Sequence, residues 1–286
     1  MLIAFLKQQV PLSIANWFRI HLQNFNVTPP IIIYQVGKVG STTVYKSLKN
    51  ARLRNPVYHL HFLSDEGIKS AEEYHLGLER PVIPNHIRLS KLLRKKMDKT
   101  KGVKWKIITL VRDPIGRDIS NLFESIEHFY PNLVNESGNV KINEAIEFLL
   151  EMFSDFDEST DYTARWFDTE INAFFDIDVY TYPFNHQKGF TIIRDKNVEI
   201  VIIRLEDLNR NFNEALTQFL NLDKPIEMCK AGIREEAVHA AAYKHIREEI
   251  TIPRSVCNKI YSSKYARHFY DDNMRNKHIQ KWSKEN

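Results

Sequence analysis

The ten residues at positions 34–43 restrict the fold of this chain more than any other segment. They read Tyr-Gln-Val-Gly-Lys-Val-Gly-Ser-Thr-Thr, and the apolar, mostly β-branched run 31–34 leads into them. Such a run is typical of a buried parallel strand, and the glycines at 37 and 40 end it with a tight turn. Ser41 is a residue type that caps helices, so a helix is predicted over 42–49. The segment therefore predicts a strand, a tight loop and a helix in succession.

The rest of the chain continues this alternation. Further strands are predicted at 56–61, 80–83, 106–111, 190–193 and 199–203. Helices are predicted at 64–78, 89–97, 114–129, 141–154, 159–175 and 205–220, and the region from 235 onward is predicted to be mostly helical and basic. The alternation predicts an α/β fold of three layers, with a central parallel sheet flanked by helices. Ligands bind at the carboxyl ends of strands in such sheets, which singles out the loops after Tyr34, His61, Ile83 and Val111.

The composition suits one globular domain with an N-terminal extension. Hydrophobic residues make up 43% of the 286 and charged residues 27%, which are ordinary values for a globular protein, so 31–286 is interpreted as one domain. Residues 1–30 are interpreted as an amphipathic helical extension, because apolar residues recur there at helical spacing. These residues are Ile14, Trp17, Phe18 and Leu22. The stripe would pack on the protein's own core or, as the alternative, rest on a membrane surface as a peripheral contact.

Several classes of protein are disfavoured by what the sequence lacks. No segment has the roughly 18 apolar residues of a transmembrane span, and no export signal is recognisable, so a cytoplasmic location is expected. The net charge of +4 suits an anionic nucleotide or glycan, but no zinc finger or RNA-binding signature points to nucleic acid. Cys229 and Cys257 form no CxxC pair, so they are interpreted as reduced packing residues and no metal site is expected.

The loop at 35–43 has the chemistry of a phosphate cradle. The first N–H groups of the following helix have no intrahelical partner, and the helix dipole adds positive charge there. Gly37 and Gly40 let the backbone approach an anion, and Lys38 supplies a full charge. Hydroxyl donors come from Ser41, Thr42 and Thr43. The loop is not a Walker A motif, in which the lysine follows the last glycine. The alternative is a tight strand-to-helix turn that binds nothing.

A second anion contact is predicted at the end of the strand over 106–111. Arg112 follows that strand, and Ser120 lies eight residues later, about two turns into the next helix. An arginine and a serine at this spacing can clamp a phosphate, with paired hydrogen bonds from the guanidinium. The segment Arg112-Asp113-Pro114 also reads as a capped helix start, with Asp113 at the N-cap and Pro114 at the first helical position. Both interpretations can hold together.

These two motifs, in this order, resemble those of sulfotransferases that use 3′-phosphoadenosine 5′-phosphosulfate (PAPS). The Lys-x-Gly-Ser-Thr core resembles their 5′-phosphosulfate loop, and Arg-Asp-Pro followed by Ser resembles their 3′-phosphate motif. From about 31 to 282, the chain is similar to a bacterial sulfotransferase-like family named for capsular polysaccharide synthesis, which also has a His-x-His strand end. The resemblance implies a P-loop-like fold, PAPS as donor and a carbohydrate hydroxyl as acceptor. A glycine-rich Arg-Lys-Gly loop near the C-terminus, present in many cytosolic sulfotransferases, is not found.

Transfer of a sulfuryl group to a hydroxyl needs charge neutralisation and a general base. Lys38 is predicted to neutralise the leaving oxygen, without any metal. His61 and His86 are the candidate bases, since each follows a predicted strand and histidine has a suitable pKa. His59 lies two residues before His61, so on a strand the two share a face. The alternative for each histidine is a hydrogen-bonded structural role.

Two other functions stay open from the sequence. A P-loop kinase or NTPase would share the cradle but would need a lysine at the helix start and a magnesium-binding aspartate. A non-catalytic nucleotide- or glycan-binding protein on the same fold would keep the cradle and tolerate loss of the base. Binding of ATP with Mg²⁺ would favour the kinase or NTPase. Activity that is unchanged after replacement of His61 and of His86 would exclude both as the general base.

Overall fold

The computed structural model describes residues 17–18, 20–77, 82–124, 126–229, 231 and 238–284. The strands are β1 (Ile31–Tyr34), β2 (Val57–Leu60), β3 (Trp105–Val111), β4 (Phe190–Asp195) and β5 (Val198–Arg204). The α-helices are α1 (Ser41–Asn50), α2 (Asp65–Leu76), α3 (Asn85–Lys99), α4 (Pro114–Leu122), α5 (Ile126–Phe129), α6 (Ile142–Ser154), α7 (Tyr162–Trp166), α8 (Ala173–Phe175), α9 (Leu208–Leu220), α10 (Ala240–Glu249), α11 (Arg254–Tyr261), α12 (Lys264–Phe269) and α13 (Asp272–Ser283). A π-helix, Phe167–Asn172, joins α7 to α8, and short 3₁₀ turns lie at Pro131–Leu133, Val179–Thr181 and Leu205–Asp207.

The five strands form one mixed sheet in the order β2-β1-β3-β5-β4. The pairs β1–β2, β1–β3 and β3–β5 are parallel, and only β4 runs antiparallel, as a hairpin with β5. All residues of β1 and β5 are buried, as expected for parallel strands covered on both faces. The prediction of an α/β fold is confirmed. The predicted central parallel sheet is observed for β1, β2, β3 and β5, whereas β4 is antiparallel because a short turn joins it directly to β5.

Two apolar cores hold the elements together. The larger one surrounds the sheet and includes the isoleucines of β1, β3 and β5. The second lies among α4, α6 and the C-terminal helices, and is centred on residues such as Ile119, Leu149 and Trp282. Because α4 directly follows β3, the second core fixes the position of the strand end that carries Arg112.

Three local predictions were wrong. No strand forms at Val82–Ile83, because Val82 is largely exposed and Pro84 starts α3 immediately afterwards; residues 80–81 lie outside the described residues. Ser41 is the first residue of α1 and not its cap, since the N-cap is Gly40 in a left-handed conformation. The helix predicted at 159–175 begins only at Tyr162, where Asp161 caps it.

Most of the predicted N-terminal extension lies outside the described residues. Of the predicted apolar stripe, Trp17 and Phe18 are helical and about half exposed, and Leu22 is more exposed still. Ile20 and Phe25 are buried in the sheet core instead. The residues of this segment that pack on the core are therefore not those of the predicted stripe. In the described part of the chain, no helix is long and apolar enough to cross a membrane.

Candidate functional site

The carboxyl ends of β1 and β3 are neighbours in the sheet. From β1 the chain crosses to β2 on one side, and it later returns to β3 on the other. This reversal is the topological switch point at which open α/β sheets bind ligands. The loop after β1 and Arg112 after β3 meet there, since the Arg112 Nη1 donates a hydrogen bond to the Lys38 carbonyl oxygen at 2.9 Å. The structure therefore brings the two predicted anion motifs together.

The cradle loop has an unusual backbone. Lys38 and Gly40 both have positive φ angles, 69° and 84°, which is sparsely populated for a lysine and is typical of functional loops. A Cβ added at Gly40 would collide with the side chain of Leu205, whereas one at Gly37 would meet nothing within 4 Å. Gly40 is therefore required by both its φ angle and its packing, and Gly37 faces open space at the start of α1.

The three hydroxyls of the loop have different surroundings. Ser41 Oγ lies 2.9 Å from Nε2 of His59. Thr43 Oγ1 donates to the carbonyl of Ala231 at 2.9 Å, and the side chain of Thr42 is exposed. Ser41 and Thr43 thus have protein partners, which leaves Thr42 and the N–H groups of the first turn as the groups facing outward.

Lys38 is paired with a carboxylate that the sequence analysis did not assign to the site. Its Nζ lies 2.7 Å from Oε2 of Glu124, just after α4, and the side chains are 21% and 55% exposed. The pair is near the surface, where such contacts contribute little to stability. Glu124 therefore competes with any anion that approaches Lys38.

Arg112 is held by two tyrosines of the C-terminal helices. The Tyr265 hydroxyl accepts from the Arg112 N–H at 2.9 Å and donates to the Arg112 carbonyl at 3.0 Å. The Tyr243 hydroxyl lies 3.3 Å from Nη2 of Arg112. Ser120 is buried on α4, while the hydrogen bonds of the Arg112 side chain go to Lys38 and Tyr243. Of the predicted anion-binding pair, only Arg112 contacts the cradle.

Asp113 and Pro114 take the predicted capping positions. Asp113 is the N-cap of α4 and its Oδ2 accepts from the Gly116 N–H, with Pro114 following at the helix start. The buried carboxylate also accepts hydrogen bonds from the Tyr261 hydroxyl and from the Trp282 Nε1. The prediction that this segment starts a capped helix is confirmed, and every hydrogen bond to Asp113 comes from within the protein.

Three histidines cluster beside the cradle. The rings of His59 and His61 lie 5.5 Å apart, and those of His61 and His86 lie 5.7 Å apart. Burial lowers the pKa of His59 and of His86 to about 4, and the neighbouring histidines contribute to both shifts. His59 is engaged with Gln35 and with Ser41 at 2.9 Å. The structure brings all three predicted histidines into one group that is neutral at pH 7.

His61 has a defined tautomer. Its Nδ1 lies 2.9 Å from the Gln35 carbonyl oxygen, which can only accept, so Nδ1 carries the proton and Nε2 keeps a lone pair. Burial lowers the pKa of His61, and Lys38 adds to the shift. A neutral imidazole with Nδ1–H fixed by a carbonyl is the arrangement that a general base needs.

Glu170, from the π-helix, anchors the loop that follows His61. It accepts hydrogen bonds from the Leu63 and Ser64 N–H groups at 2.9 and 3.0 Å, from the Ser64 hydroxyl at 3.0 Å and from the Tyr34 hydroxyl. Burial raises the pKa of Glu170, and these hydrogen bonds oppose the shift. Sequence reasoning missed this residue, because it lies more than 100 positions from its partners and in no recognisable motif.

Within the described residues, no group of three or more His, Cys, Asp or Glu side chains is arranged to hold a metal ion. Cys229 and Cys257, both in the described part of the chain, form no disulfide. The titratable groups of the site are therefore the three histidines, Lys38, Arg112 and Glu124.

Comparison with known proteins gives one match. Residues 138–271 match the family NKWYS, described as "Putative capsular polysaccharide synthesis protein". The match covers somewhat less than half of the chain, from before α6 to the start of α13. The cradle loop and the three histidines lie outside it. No curated protein and no solved structure matches the chain.

Proposed function

We propose that this chain is a PAPS-dependent sulfotransferase that acts on a hydroxyl of a carbohydrate, through a P-loop-like domain over 31–286. The observation that carries the proposal is the meeting of three groups at the switch point of the sheet. These are the Lys38 loop at the start of α1, the Arg112 guanidinium and a cluster of neutral histidines. The glycan-related family match supports a carbohydrate as the acceptor. Because PAPS is a cytosolic donor in bacteria, a cytoplasmic location belongs to the same proposal.

The residues of the cradle fit the anionic part of PAPS. The N–H groups of the first turn of α1 and the helix dipole favour negative charge, and Gly37 leaves the approach open. Lys38 and Arg112 supply two positive charges, and the exposed Thr42 supplies a hydroxyl. Ser41 would contribute through its backbone N–H group, because its hydroxyl contacts His59. The Thr43 hydroxyl and N–H donate to the carbonyls of Ala231 and Gly40. PAPS would supply the sulfuryl group that is transferred.

Lys38 would exchange one partner for another when the donor binds. In the structure its Nζ pairs with Glu124, and an ion pair this close to the surface contributes little to stability. Lys38 would then neutralise negative charge on the oxygen that leaves. Electrostatic stabilisation of this kind is commonly the largest contribution to group-transfer catalysis.

His61 is the better candidate for the general base, although His86 remains the second. The hydrogen bond from Nδ1 to Gln35 fixes the ring and presents Nε2 as the proton acceptor. His59 is less suited because its Nε2 already contacts Gln35 and Ser41. A positioned base of this type contributes about 10²- to 10⁴-fold to rate. The acceptor hydroxyl would pass its proton to His61 Nε2 as its oxygen attacks.

A kinase or NTPase fits the site less well. Asp113 is the aspartate that follows the end of β3, but it is buried and accepts hydrogen bonds from Gly116, Tyr261 and Trp282. It therefore serves as a helix cap and is unsuited to binding magnesium. A non-catalytic binding protein would have no reason to keep His61 in a single tautomer beside a cation.

Calorimetric titration tests the donor site. The wild-type protein would be titrated with PAP, the desulfated product of PAPS, and separately with ATP and Mg²⁺, and the titrations repeated on Lys38→Ala and Arg112→Ala. Lys46→Ala is a matched control, because Lys46 is exposed on the same helix. We expect metal-independent binding of PAP that weakens about tenfold or more in both site variants, since each loses a charged hydrogen bond. Binding of ATP with Mg²⁺ alone would overturn the proposal.

A further inference from the structure

A cavity lies among the helices next to Tyr265, the residue whose hydroxyl bonds to the backbone of Arg112. It has a volume of about 290 Å³ and lies between α4, the end of α6, the start of α7 and the α11–α12 junction. Its wall includes the Tyr265 side chain, whose hydroxyl holds Arg112. The cavity is therefore separate from the cradle loop but shares a wall with the end of β3.

One nitrogen of a buried arginine in this cavity lacks a hydrogen-bond acceptor. Arg117 is only 7% exposed, and its Nε is buried without an acceptor. Burial lowers its pKa to about 10, and the nearby Asp161 opposes the shift. A buried guanidinium N–H without an acceptor is costly in a folded protein. Because Arg117 lines the cavity, other N–H groups of its guanidinium would be the donors offered to a ligand there.

The charges around Arg117 disfavour an anionic ligand. Asp118 is in direct contact with the guanidinium, and Asp161 also lines the cavity. Two carboxylates around one cation leave the ionic groups of the cavity with a net negative charge, so an added anion would be repelled. The cavity instead combines a donor, two acceptors and polar rim groups such as Asn121.

We propose that this cavity binds one neutral pyranose ring of the carbohydrate acceptor. Each sugar hydroxyl both donates and accepts hydrogen bonds, which matches Arg117 beside Asp118 and Asp161. The aromatic side chains of Phe156 and Tyr162 line the same cavity and suit the apolar C–H groups of a sugar. The volume lies at the lower end of the range of about 300–1,000 Å³ for ligand pockets, which suits one ring and is small for a whole nucleotide.

The cavity is connected to the proposed base through aromatic contacts. The ring of Tyr162 lies 6.2 Å from that of Phe62, which in turn lies 6.2 Å from His61 and 6.4 Å from His86. On the helix that begins with Tyr162, the Trp166 Nε1 donates to the His61 carbonyl oxygen at 3.3 Å. A ring in the cavity would thus place the next part of the glycan toward the histidines. This assignment as the acceptor subsite rests on the proposed function.

Saturation-transfer NMR with simple glycosides tests the cavity directly. The probes are the neutral methyl pyranosides of glucose, galactose, mannose, N-acetylglucosamine and N-acetylgalactosamine, with methyl glucuronide and methyl galacturonide as anionic counterparts. Asn121→Trp fills the cavity from an exposed rim position, and Arg117→Met removes the unpartnered donor. Asn143→Trp is the matched control, because Asn143 is exposed toward the other end of α6. The PAP affinity of each variant is measured in parallel.

We expect at least one neutral pyranoside to bind, and its affinity to fall about tenfold or more in Asn121→Trp and Arg117→Met. Asn143→Trp should bind it like the wild type, and PAP should not displace it. The inference is overturned if no neutral pyranoside binds, if only the uronides bind, if Asn121→Trp leaves binding unchanged, or if PAP displaces the sugar. Asn121→Trp decides the matter should Arg117→Met fail to fold.

The same measurements separate this inference from the proposed function. Binding of PAP without any pyranoside would leave the donor site standing and remove the sugar subsite. Pyranoside binding that Asn121→Trp abolishes, in a protein that does not bind PAP, would keep the sugar subsite and remove the sulfotransferase proposal.

Discussion

Replacing Gly67 by alanine should destabilise the protein by displacing Glu170, which is distant in sequence but adjacent in space. Gly67 lies in the first turn of α2, and its N–H donates to the Ser64 cap at 2.9 Å. A Cβ added there would overlap Oε1 of Glu170 and lie 2.8 Å from its Cδ. The Glu170 carboxylate would have to leave the position in which it accepts hydrogen bonds from the loop after His61.

The cost can be estimated from the hydrogen bonds that would be lost. Moving Glu170 leaves the N–H groups of Leu63 and Ser64 without their acceptor, and each buried unsatisfied donor costs about 1–3 kcal/mol. With partial relaxation we expect a loss of about 2–4 kcal/mol. For a chain of this length, the entropy of unfolding is about 0.6 kcal/mol/K, so the melting temperature should fall by about 3–7 °C.

Gly77→Ala is the matched control, because Gly77 ends the same helix. Its φ angle is −78°, and an added Cβ would lie 3.5 Å from the Glu73 carbonyl oxygen, which is an ordinary contact. Its melting temperature should stay the same or rise slightly, as for glycine replacements at compatible sites. Differential scanning calorimetry of both variants decides the matter. If Gly67→Ala has the same melting temperature as Gly77→Ala, the Glu170 carboxylate is not held against Gly67.

Three further predictions concern the site itself. His61→Asn should lower kcat by about 10²- to 10⁴-fold in a sulfuryl-transfer assay with little change in PAP affinity, whereas a larger loss in His86→Asn would make His86 the base. Glu124→Gln should tighten PAP binding by about 1.4- to 5-fold, since the surface pair with Lys38 contributes about 0.2–1 kcal/mol; unchanged affinity would show that the two do not compete. Burial lowers the pKa values of His59 and His86 to about 4 in the folded state. Between pH 6.5 and 4 the unfolded chain therefore binds more protons than the folded one. The contribution of these two histidines to the free energy of unfolding should be full above about pH 6.5 and fall as the pH drops toward 4. Thermal melts across that range test the sign, and a stability that rises on acidification would contradict it.

Features encoded by neighbouring residues were predictable from the sequence. The apolar runs of β1, β3 and β5 were recognisable because strands buried on both faces need unbroken apolar sequence. Asp113-Pro114 was recognisable as a helix start because both residues act within one turn. The pairing of the Lys38 loop with Arg112 followed from the rule that carboxyl ends of parallel strands share one edge.

Features that depend on tertiary contacts were not predictable in the same way. The run at Val82–Ile83 has the composition of a strand, but it is not part of the sheet that the described residues form. The role of Gly40 as the cap of α1 depends on Leu205, which packs against it from a distant turn. Glu170 anchors its loop from a π-helix, which has no sequence signature that local propensity captures. In each case the deciding partner is more than 70 residues away or absent.

The dependence of the β3–α4 junction on the C-terminal helices has a consequence for how the chain matures. The Asp113 carboxylate obtains donors from Tyr261 and Trp282, and Arg112 is held by Tyr265. During synthesis, β3 and α4 therefore emerge long before the side chains that donate hydrogen bonds to this buried carboxylate. The β3–α4 junction therefore cannot reach its final hydrogen bonding until Tyr261, Tyr265 and Trp282 have left the ribosome. The proposed anion contact at Arg112 is thus set only after the C-terminal helices have been made and have packed.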